Sequence, residues 1–280
     1  MSKGAKIEAF PVVGKGGEFW KILQAADWQG EAPVRVLEEF VDIAFHTLID
    51  GKVDFESRPL FRVDGEKKKE TIMNAYVMLG EEMEREPYRD LLGRVHQEIS
   101  STRAKEALSA FYTPDSLCGL MAGIGVDVEA MRRKISEGKT VSVYEPACGA
   151  GRLMLAVAEQ LGELRRRLRV TCEDIDLNAC KMCYINLSLW GVPAEVYHMN
   201  VLSREVWGGW RTLPLAVELA REEQERQLRR NIETMKSLLR REGPGECEPG
   251  KLEQKEPKGS KELPGVGETA PQKAPLKKAE

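Results

Sequence analysis

The sequence predicts an α/β protein, in which a Rossmann-like core with a shortened parallel sheet follows a helical N-terminal domain. Three short strand-like segments alternate with helical segments in the middle of the chain, as in one half of a doubly wound sheet. Apolar residues recur at helical spacing before this region. After it, the chain becomes polar and then rich in proline.

These shifts divide the 280 residues into five predicted parts. They are a disordered N-terminus (1–15), a helical domain (16–104), the Rossmann-like core (105–214), an amphipathic helix (215–242) and a disordered tail (243–280). The helical domain is predicted from an apolar stripe that repeats at helical spacing. The members of this stripe are Leu37, Phe40, Val41, Ala44, Phe45 and Leu48.

The core is predicted to contain three parallel strands. The strands are expected at 141–144, 168–172 and 194–198, with helices at 151–161 and 177–190 between them. Right-handed crossovers place such strands side by side. No fourth strand is predicted after Val201, which leaves the first strand at an open edge of the sheet. The helix at 215–242 is expected to cover that edge, unless another chain supplies the missing strands.

Charge and composition limit the functional classes. The net charge of −3 argues against strong, unaided binding to DNA. No apolar run approaches the ~20 residues of a membrane span, and the N-terminus lacks the pattern of a signal peptide. The lack of such a run predicts no membrane association. The six cysteines lie mostly in apolar patterns, which indicates reduced thiols in the cytoplasm. Cys180 and Cys183 form a lone CxxC, predicted to be core cysteines, and no metal site is predicted.

The segment Val143 to Leu153, VYEPACGAGRL, predicts a ligand site where the first strand turns into a helix. Gly149 and Gly151 allow a ligand to approach the backbone closely. Glu145, at the end of the strand, would repel a pyrophosphate and attract a cation. Asp174, which follows the second strand, is placed to hold the ribose hydroxyls of an adenosine. Asn200, after the third strand, can reach the adenine, so these features together favour S-adenosylmethionine over NAD.

Four ordered blocks in the sequence resemble the DNA adenine-N6 methyltransferase family, in particular the modification subunits of type I restriction systems. The blocks are Ala110-Phe-Tyr-Thr-Pro114, EPACGAGRL, CEDIDLNACKMCYINLSLWG and HMNVLS. They cover roughly residues 110–203, about a third of the chain. The resemblance implies a Rossmann-like S-adenosylmethionine-dependent methyltransferase core and restriction-modification or DNA methylation as its context.

The resemblance also implies roles for individual residues. Phe111, Tyr112, Thr113 and Pro114 would close over the methionine end of the cofactor. Glu145, with the backbone of the turn that contains Pro146, Ala147, Cys148, Gly149 and Gly151, would hold its amino-acid portion. Asp174 would bind the ribose, Ile175 would pack on the adenine, Asp176 is a weaker candidate, and Asn200 would reach the adenine edge.

One block of the family is missing from this sequence. Adenine methyltransferases carry an Asn/Asp-Pro-Pro-Tyr/Phe tetrapeptide that holds the flipped target base, and no such tetrapeptide occurs here. The catalytic residues are therefore unknown from the sequence. The resemblance implies methyl transfer to adenine in DNA with a second subunit or homodimer partner that supplies the base pocket. Two alternatives remain open, namely an inactive pseudo-methyltransferase that serves as a regulatory or assembly subunit, and an enzyme that cleaves S-adenosylmethionine.

Overall fold

The computed structural model describes residues 17–25, 32–51, 66–100, 121–122 and 127–241. The expectations for the two chain ends, 1–15 and 243–280, lie outside these residues. The described helices are α1 (Glu18–Gln24), α2 (Pro33–Asp50), α3 (Glu66–Arg85), α4 (Leu91–Ile99), α5 (Val128–Ser136), α6 (Arg152–Leu161), α7 (Leu177–Leu189) and α8 (Leu213–Arg241). The described strands are β1 (Val141–Glu145), β2 (Leu168–Asp174), β3 (Ala194–Asn200) and β4 (Glu205–Arg211).

The predicted α/β fold class is confirmed by the order of the strands. The sheet has the order β1-β2-β3-β4, and β1, β2 and β3 are parallel. Each parallel pair is joined through a helix, α6 between β1 and β2, and α7 between β2 and β3. This is the alternation that the sequence pattern predicted, and the three strands begin at the predicted residues.

The fourth strand corrects the sequence prediction, which ended the sheet at β3. Strand β4 pairs antiparallel with β3, with an irregularity in the register between His198 and Met199. It escaped prediction because Gly208 and Gly209 lie in its centre, and glycine disfavours strands. The structure supplies the reason for one of them. A Cβ atom at Gly209 would lie 2.7 Å from Cδ1 of Tyr197, so the glycine makes room for that ring on the neighbouring strand.

The N-terminal helices and the sheet share one hydrophobic core. Phe45 of α2 joins the two parts, with edge-on contacts to Tyr184 of α7 at 4.9 Å and to Trp210 of β4 at 5.2 Å. Lys181 of α7 forms an ion pair with Asp42 of α2 at the border of this contact. The predicted amphipathic stripe of α2 is therefore buried against the core that carries the strands.

Helix α8 begins beside the start of β3. Thr212, which precedes it, accepts a hydrogen bond from Ala194 N at 2.8 Å through its hydroxyl and donates one to Val192 O at 2.9 Å. Arg169 of β2 forms an ion pair with Glu218 at 2.6 Å. Leu213 N also donates a hydrogen bond to Ser188 Oγ of α7 at 3.3 Å. These contacts hold the start of α8 against α7 and β2, and they do not support the expected cover of the β1 edge. Among the described strands, β1 pairs only with β2.

A second compact unit comprises residues 230–280. Its described part, 230–241, is the C-terminal end of α8. There the side chains of Ile232, Met235 and Leu238 are exposed. No helix among the described residues combines the length and the apolar character needed to cross a membrane.

Replacing Thr212 with valine is expected to lower the free energy of unfolding by about 1–3 kcal/mol. The change keeps the shape of the side chain but leaves a buried N–H and a buried carbonyl unsatisfied. Chemical denaturation would measure it, with Thr234→Val on the exposed surface of α8 as the matched control. The control should change stability by less than about 0.5 kcal/mol, and equal losses in the two variants would contradict the role given to the Thr212 hydroxyl.

Candidate functional site

The carboxyl ends of β1, β2 and β3 form one edge of the sheet, and each of these strands ends in a predicted site residue. Glu145 is paired in register with Cys172, and Asp174 with His198. Asn200 is the last residue of β3. Ligands of doubly wound folds bind in the crevice outside the carboxyl ends of the strands. The structure therefore places the three predicted polar residues along the edge where such a ligand would lie.

The turn between β1 and α6 has the backbone that its glycines predicted. Gly149 and Gly151 have φ angles of 52° and 86°, in the left-handed region that favours glycine. A Cβ atom at Gly151 would also lie 3.0 Å from Sγ of Cys183 on α7. Helix α6 begins directly after Gly151 without a side-chain cap. Its first N–H groups therefore donate no hydrogen bond to a capping side chain.

Asp174 connects three parts of this edge. Its Oδ2 accepts a hydrogen bond from Gly149 N at 2.8 Å, and its Oδ1 accepts one from Asp176 N at 2.9 Å. Cys148 N donates to Glu173 O at 3.0 Å, beside the same contact. The carboxylate thus holds the glycine turn against the end of β2. A carboxylate oxygen can accept more than one hydrogen bond, so both oxygens retain capacity for the hydroxyl groups of a ligand.

Asp176 has a structural contact of its own. Its side chain caps the N-terminus of α7 by accepting a hydrogen bond from Asn178 N at 2.8 Å. Ile175, between the two aspartates, is 57% exposed, which is unusual for isoleucine and leaves its side chain open to a ligand. Asp174 and Asp176 thus have different roles, because Asp174 contacts the glycine turn and Asp176 caps α7.

Glu145 is partly buried, and its surroundings disfavour the ionised form. Burial, followed by the charge of the neighbouring Cys172, raises the pKa of Glu145 to about 7. At neutral pH the carboxyl group is then close to half ionised. A cationic group bound beside Glu145 would favour the ionised carboxylate, and the carboxylate would neutralise the charge of that group.

Asn200 holds the turn that follows β3. Its Oδ1 accepts hydrogen bonds from Leu202 N at 2.9 Å and Ser203 N at 3.1 Å. The amino group of an adenine would need an acceptor at this position. Because the oxygen already serves the turn, the amide nitrogen is the atom better placed to meet a ring nitrogen of a base.

The remaining residues of the predicted site divide into two groups. Pro146 and Ala147 are exposed in the turn, whereas the side chain of Cys148 is buried, so only its backbone can face a ligand. The segment Phe111, Tyr112, Thr113 and Pro114 lies outside the described residues.

Aromatic residues also lie beside the site. Tyr144 is half exposed and donates a hydrogen bond from its hydroxyl to Glu173 Oε2 at 2.6 Å. The ring of His198 lies 4.8 Å from that of Trp207 on β4, and its Nε2 is 3.2 Å from Ile175 O. The positions of Tyr144 and His198 near the carboxyl ends of β1 and β3 could have indicated that they lie at this edge, but the contact with Trp207 depends on β4.

A buried polar network supports the glycine turn from behind. Asp90 caps α4 by accepting from Gly93 N at 2.7 Å, and its other oxygen accepts from Arg152 Nε at 2.8 Å. Asn186 of α7 donates both to Asp90 Oδ1 and to Ala150 O, each at 2.9 Å. The network therefore joins α4, α6 and α7 to the turn. Sequence reasoning missed it, because no local pattern pairs residues so far apart in the chain.

One comparison, with a family model, agrees with the family resemblance. Residues 88–213 match the family described as N-6 DNA Methylase. No curated protein gives a significant match. A protein of Listeria monocytogenes described as a class I S-adenosylmethionine-dependent methyltransferase has 18% sequence identity and a TM-score of 0.38, over 66% of this chain and 53% of that chain.

A second solved structure is the type I restriction-modification system methyltransferase subunit from Streptococcus thermophilus. It has 16% identity and a TM-score of 0.34, over 70% of this chain and 42% of that chain. The present chain therefore spans about half, or less, of the length of these two proteins. The segment 88–213, which matches the N-6 DNA methylase family, contains the glycine turn and all three strand ends.

Proposed function

We propose that the chain binds S-adenosylmethionine at the carboxyl edge of β1, β2 and β3 and acts as an adenine-N6 methyltransferase-like protein on DNA. The observation that carries the proposal is the contact of Asp174 with Gly149 N. It fixes the glycine turn beside an acid that still has capacity for hydroxyl groups. The match of residues 88–213 to the N-6 DNA methylase family supports the class of reaction.

In this arrangement each part of the cofactor has a matching group. The ribose hydroxyls would donate to Asp174, and the adenine would lie on exposed Ile175, with the Asn200 amide at its edge. The amino-acid portion would bind Glu145 and the backbone of the glycine turn, where its ammonium group compensates the carboxylate. The chain would then contribute the position of the methyl group, and alignment of the reacting atoms is a large part of the catalysis of such transfers.

DNA and the base pocket are proposed to involve a partner chain. The net charge is −3, and the sequence lacks the Asn/Asp-Pro-Pro-Tyr/Phe tetrapeptide. A second subunit or a second copy would supply the target-base pocket and the positive charge that holds the phosphates. The four free, buried cysteines among the described residues support a reducing, cytoplasmic setting.

Calorimetric titration of the purified full-length chain with S-adenosylmethionine tests the proposal first. One equivalent bound with micromolar affinity, and no comparable binding of NAD, is the expected result. A folded protein that binds neither compound would overturn it. Transfer of a labelled methyl group to DNA, with and without candidate partner subunits, then tests the reaction.

The missing tetrapeptide favours one other function, that of an inactive subunit that binds the cofactor for assembly or regulation. Cofactor binding without DNA binding or methyl transfer in any mixture would identify this function. Release of methylthioadenosine from S-adenosylmethionine in the absence of DNA would instead identify a cleaving enzyme. The three outcomes are separable in one set of assays with labelled cofactor.

Replacing Glu145 with glutamine is expected to weaken binding of S-adenosylmethionine roughly tenfold or more, because a charge-assisted contact with the ammonium group is lost. Binding of 5′-methylthioadenosine, which lacks the amino-acid portion, should stay unchanged. Calorimetry with both compounds measures the difference, and Glu137→Gln on the surface before β1 is the control. If both compounds lose affinity equally, Glu145 does not hold the amino-acid end.

A further inference from the structure

Three buried thiols lie close together at the glycine turn. The Sγ atoms of Cys148, Cys172 and Cys183 all lie within 4.8 Å of one another. They come from three different elements, the turn after β1, strand β2 and helix α7. Cys172 and Cys183 are fully buried, and Cys148 is 8% exposed. We call these residues the thiol cluster.

The cluster changes the interpretation of the CxxC in the sequence. Cys180 and Cys183 were predicted to be a pair of core cysteines on one face of α7. In the structure Cys183 Sγ lies near the Sγ atoms of Cys148 and Cys172. Cys180 Sγ lies elsewhere, 3.4 Å from Tyr197 O and 3.6 Å from Asp174 O. The partners of Cys183 are thus cysteines distant in the sequence, and Cys180 belongs to a different environment.

We propose that the thiol cluster is a binding site for one soft metal ion, Zn(II) or Cu(I), held by the sulfur atoms of Cys148, Cys172 and Cys183. Metal–sulfur distances of about 2.3 Å in a trigonal arrangement require sulfur atoms about 4.0 Å apart. The present separations lie within 4.8 Å, so side-chain adjustments of less than about an ångström complete the site. Thiolate sulfur is the ligand that these ions prefer over carboxylate or carbonyl oxygen.

The surroundings of the cluster contain one feature that favours thiolates and one that disfavours them. Cys148 lies in the turn that leads into α6, and Cys183 Sγ is 3.0 Å from the position of a Cβ atom at Gly151, immediately before that helix. The N-terminus of a helix stabilises negative charge. The carboxylates of Glu173 and Asp174 follow Cys172 directly, and their negative charge disfavours a thiolate there. The positive charge of a metal ion offsets both these carboxylates and the thiolates, which gives the site selectivity for a cation.

Competition titration with a chromophoric chelator tests the proposal on the reduced, metal-free, full-length chain. Zn(II) and Cu(I) are titrated separately, so the assay also decides which ion is preferred. One equivalent of at least one ion should bind, and Cys172→Ala and Cys183→Ala should each weaken binding at least 100-fold. Cys180→Ala, a buried cysteine of the same helix outside the cluster, should bind as the wild type does.

Two results would overturn the proposal. One is a folded wild-type protein that binds neither ion, and the other is an affinity that stays the same in Cys172→Ala and Cys183→Ala as in the wild type. Circular dichroism establishes that each variant is folded. If a variant does not fold, X-ray absorption on the metal-loaded wild type decides instead. Three sulfur neighbours at about 2.3 Å support the site, and fewer than three contradict it. None of these measurements depends on binding of S-adenosylmethionine.

Discussion

Replacing Asp90 with alanine is expected to lower the free energy of unfolding by about 3–5 kcal/mol, the range found when one partner of a buried ion pair is removed. Asp90 is 1% exposed, and Arg152 is almost as well buried, with 7% of its side chain exposed. The variant would leave the Arg152 guanidinium without this carboxylate. It would also remove the acceptor of Gly93 N and of the Asn186 amide.

Asp127→Ala provides a matched control, because Asp127 also caps a helix, accepting from Ala130 N at 2.8 Å at the exposed start of α5. Loss of an ordinary N-cap costs about 1 kcal/mol. Urea denaturation of both variants therefore separates the contribution of the buried network from that of capping alone. Similar losses in the two variants would show that the network adds nothing beyond the cap.

The Asp90 variant should also affect the glycine turn. Asn186 is oriented by Asp90 and donates to Ala150 O within that turn. Helix α4 lies against the same place, since a Cβ atom at Gly93 would be 2.9 Å from Cβ of Ala150. Loosening this support should weaken cofactor binding as well as stability, although no atom of Asp90 faces the proposed ligand.

Replacing Asp174 with alanine is expected to weaken binding of S-adenosylmethionine by about 1–3 kcal/mol, roughly five- to 150-fold. The variant loses the proposed acceptor of the ribose hydroxyls. It also loses the contact with Gly149 N that fixes the turn. Because the ribose is common to both compounds, 5′-methylthioadenosine should lose affinity to a similar degree, in contrast to the result expected for Glu145→Gln.

Asp127→Ala again serves as the control, because it removes a capping carboxylate far from the carboxyl edge in sequence and leaves the proposed site intact. Calorimetry on the folded variants measures the affinities. Unchanged affinity for both compounds in Asp174→Ala would rule out the ribose assignment. It would also show that the contact with Gly149 is not needed for the turn to accept a ligand.

The sequence by itself determined the alternation of strands and helices and the position of the glycine turn. Strands β1, β2 and β3 begin at the predicted residues Val141, Leu168 and Ala194, because the local patterns that predict them depend on neighbours only a few residues away. The carboxyl-edge position of Glu145, Asp174 and Asn200 then followed from the parallel order of the strands. The family block structure pointed to the same segment, which the match over residues 88–213 confirms.

Only the tertiary structure decided which distant residues support that edge. Strand β4 pairs with β3 despite its two glycines, and the ring of Tyr197 on β3 occupies the space that a side chain at Gly209 would need, which no local propensity records. Asn186 donates a hydrogen bond to Asp90, 96 residues away in the sequence. Cys183 lies near Cys148 and Cys172 rather than near its CxxC partner. Hydrogen bonds and sulfur contacts of this kind depend on how whole elements pack, and that packing brings together side chains whose spacing along the chain has no period.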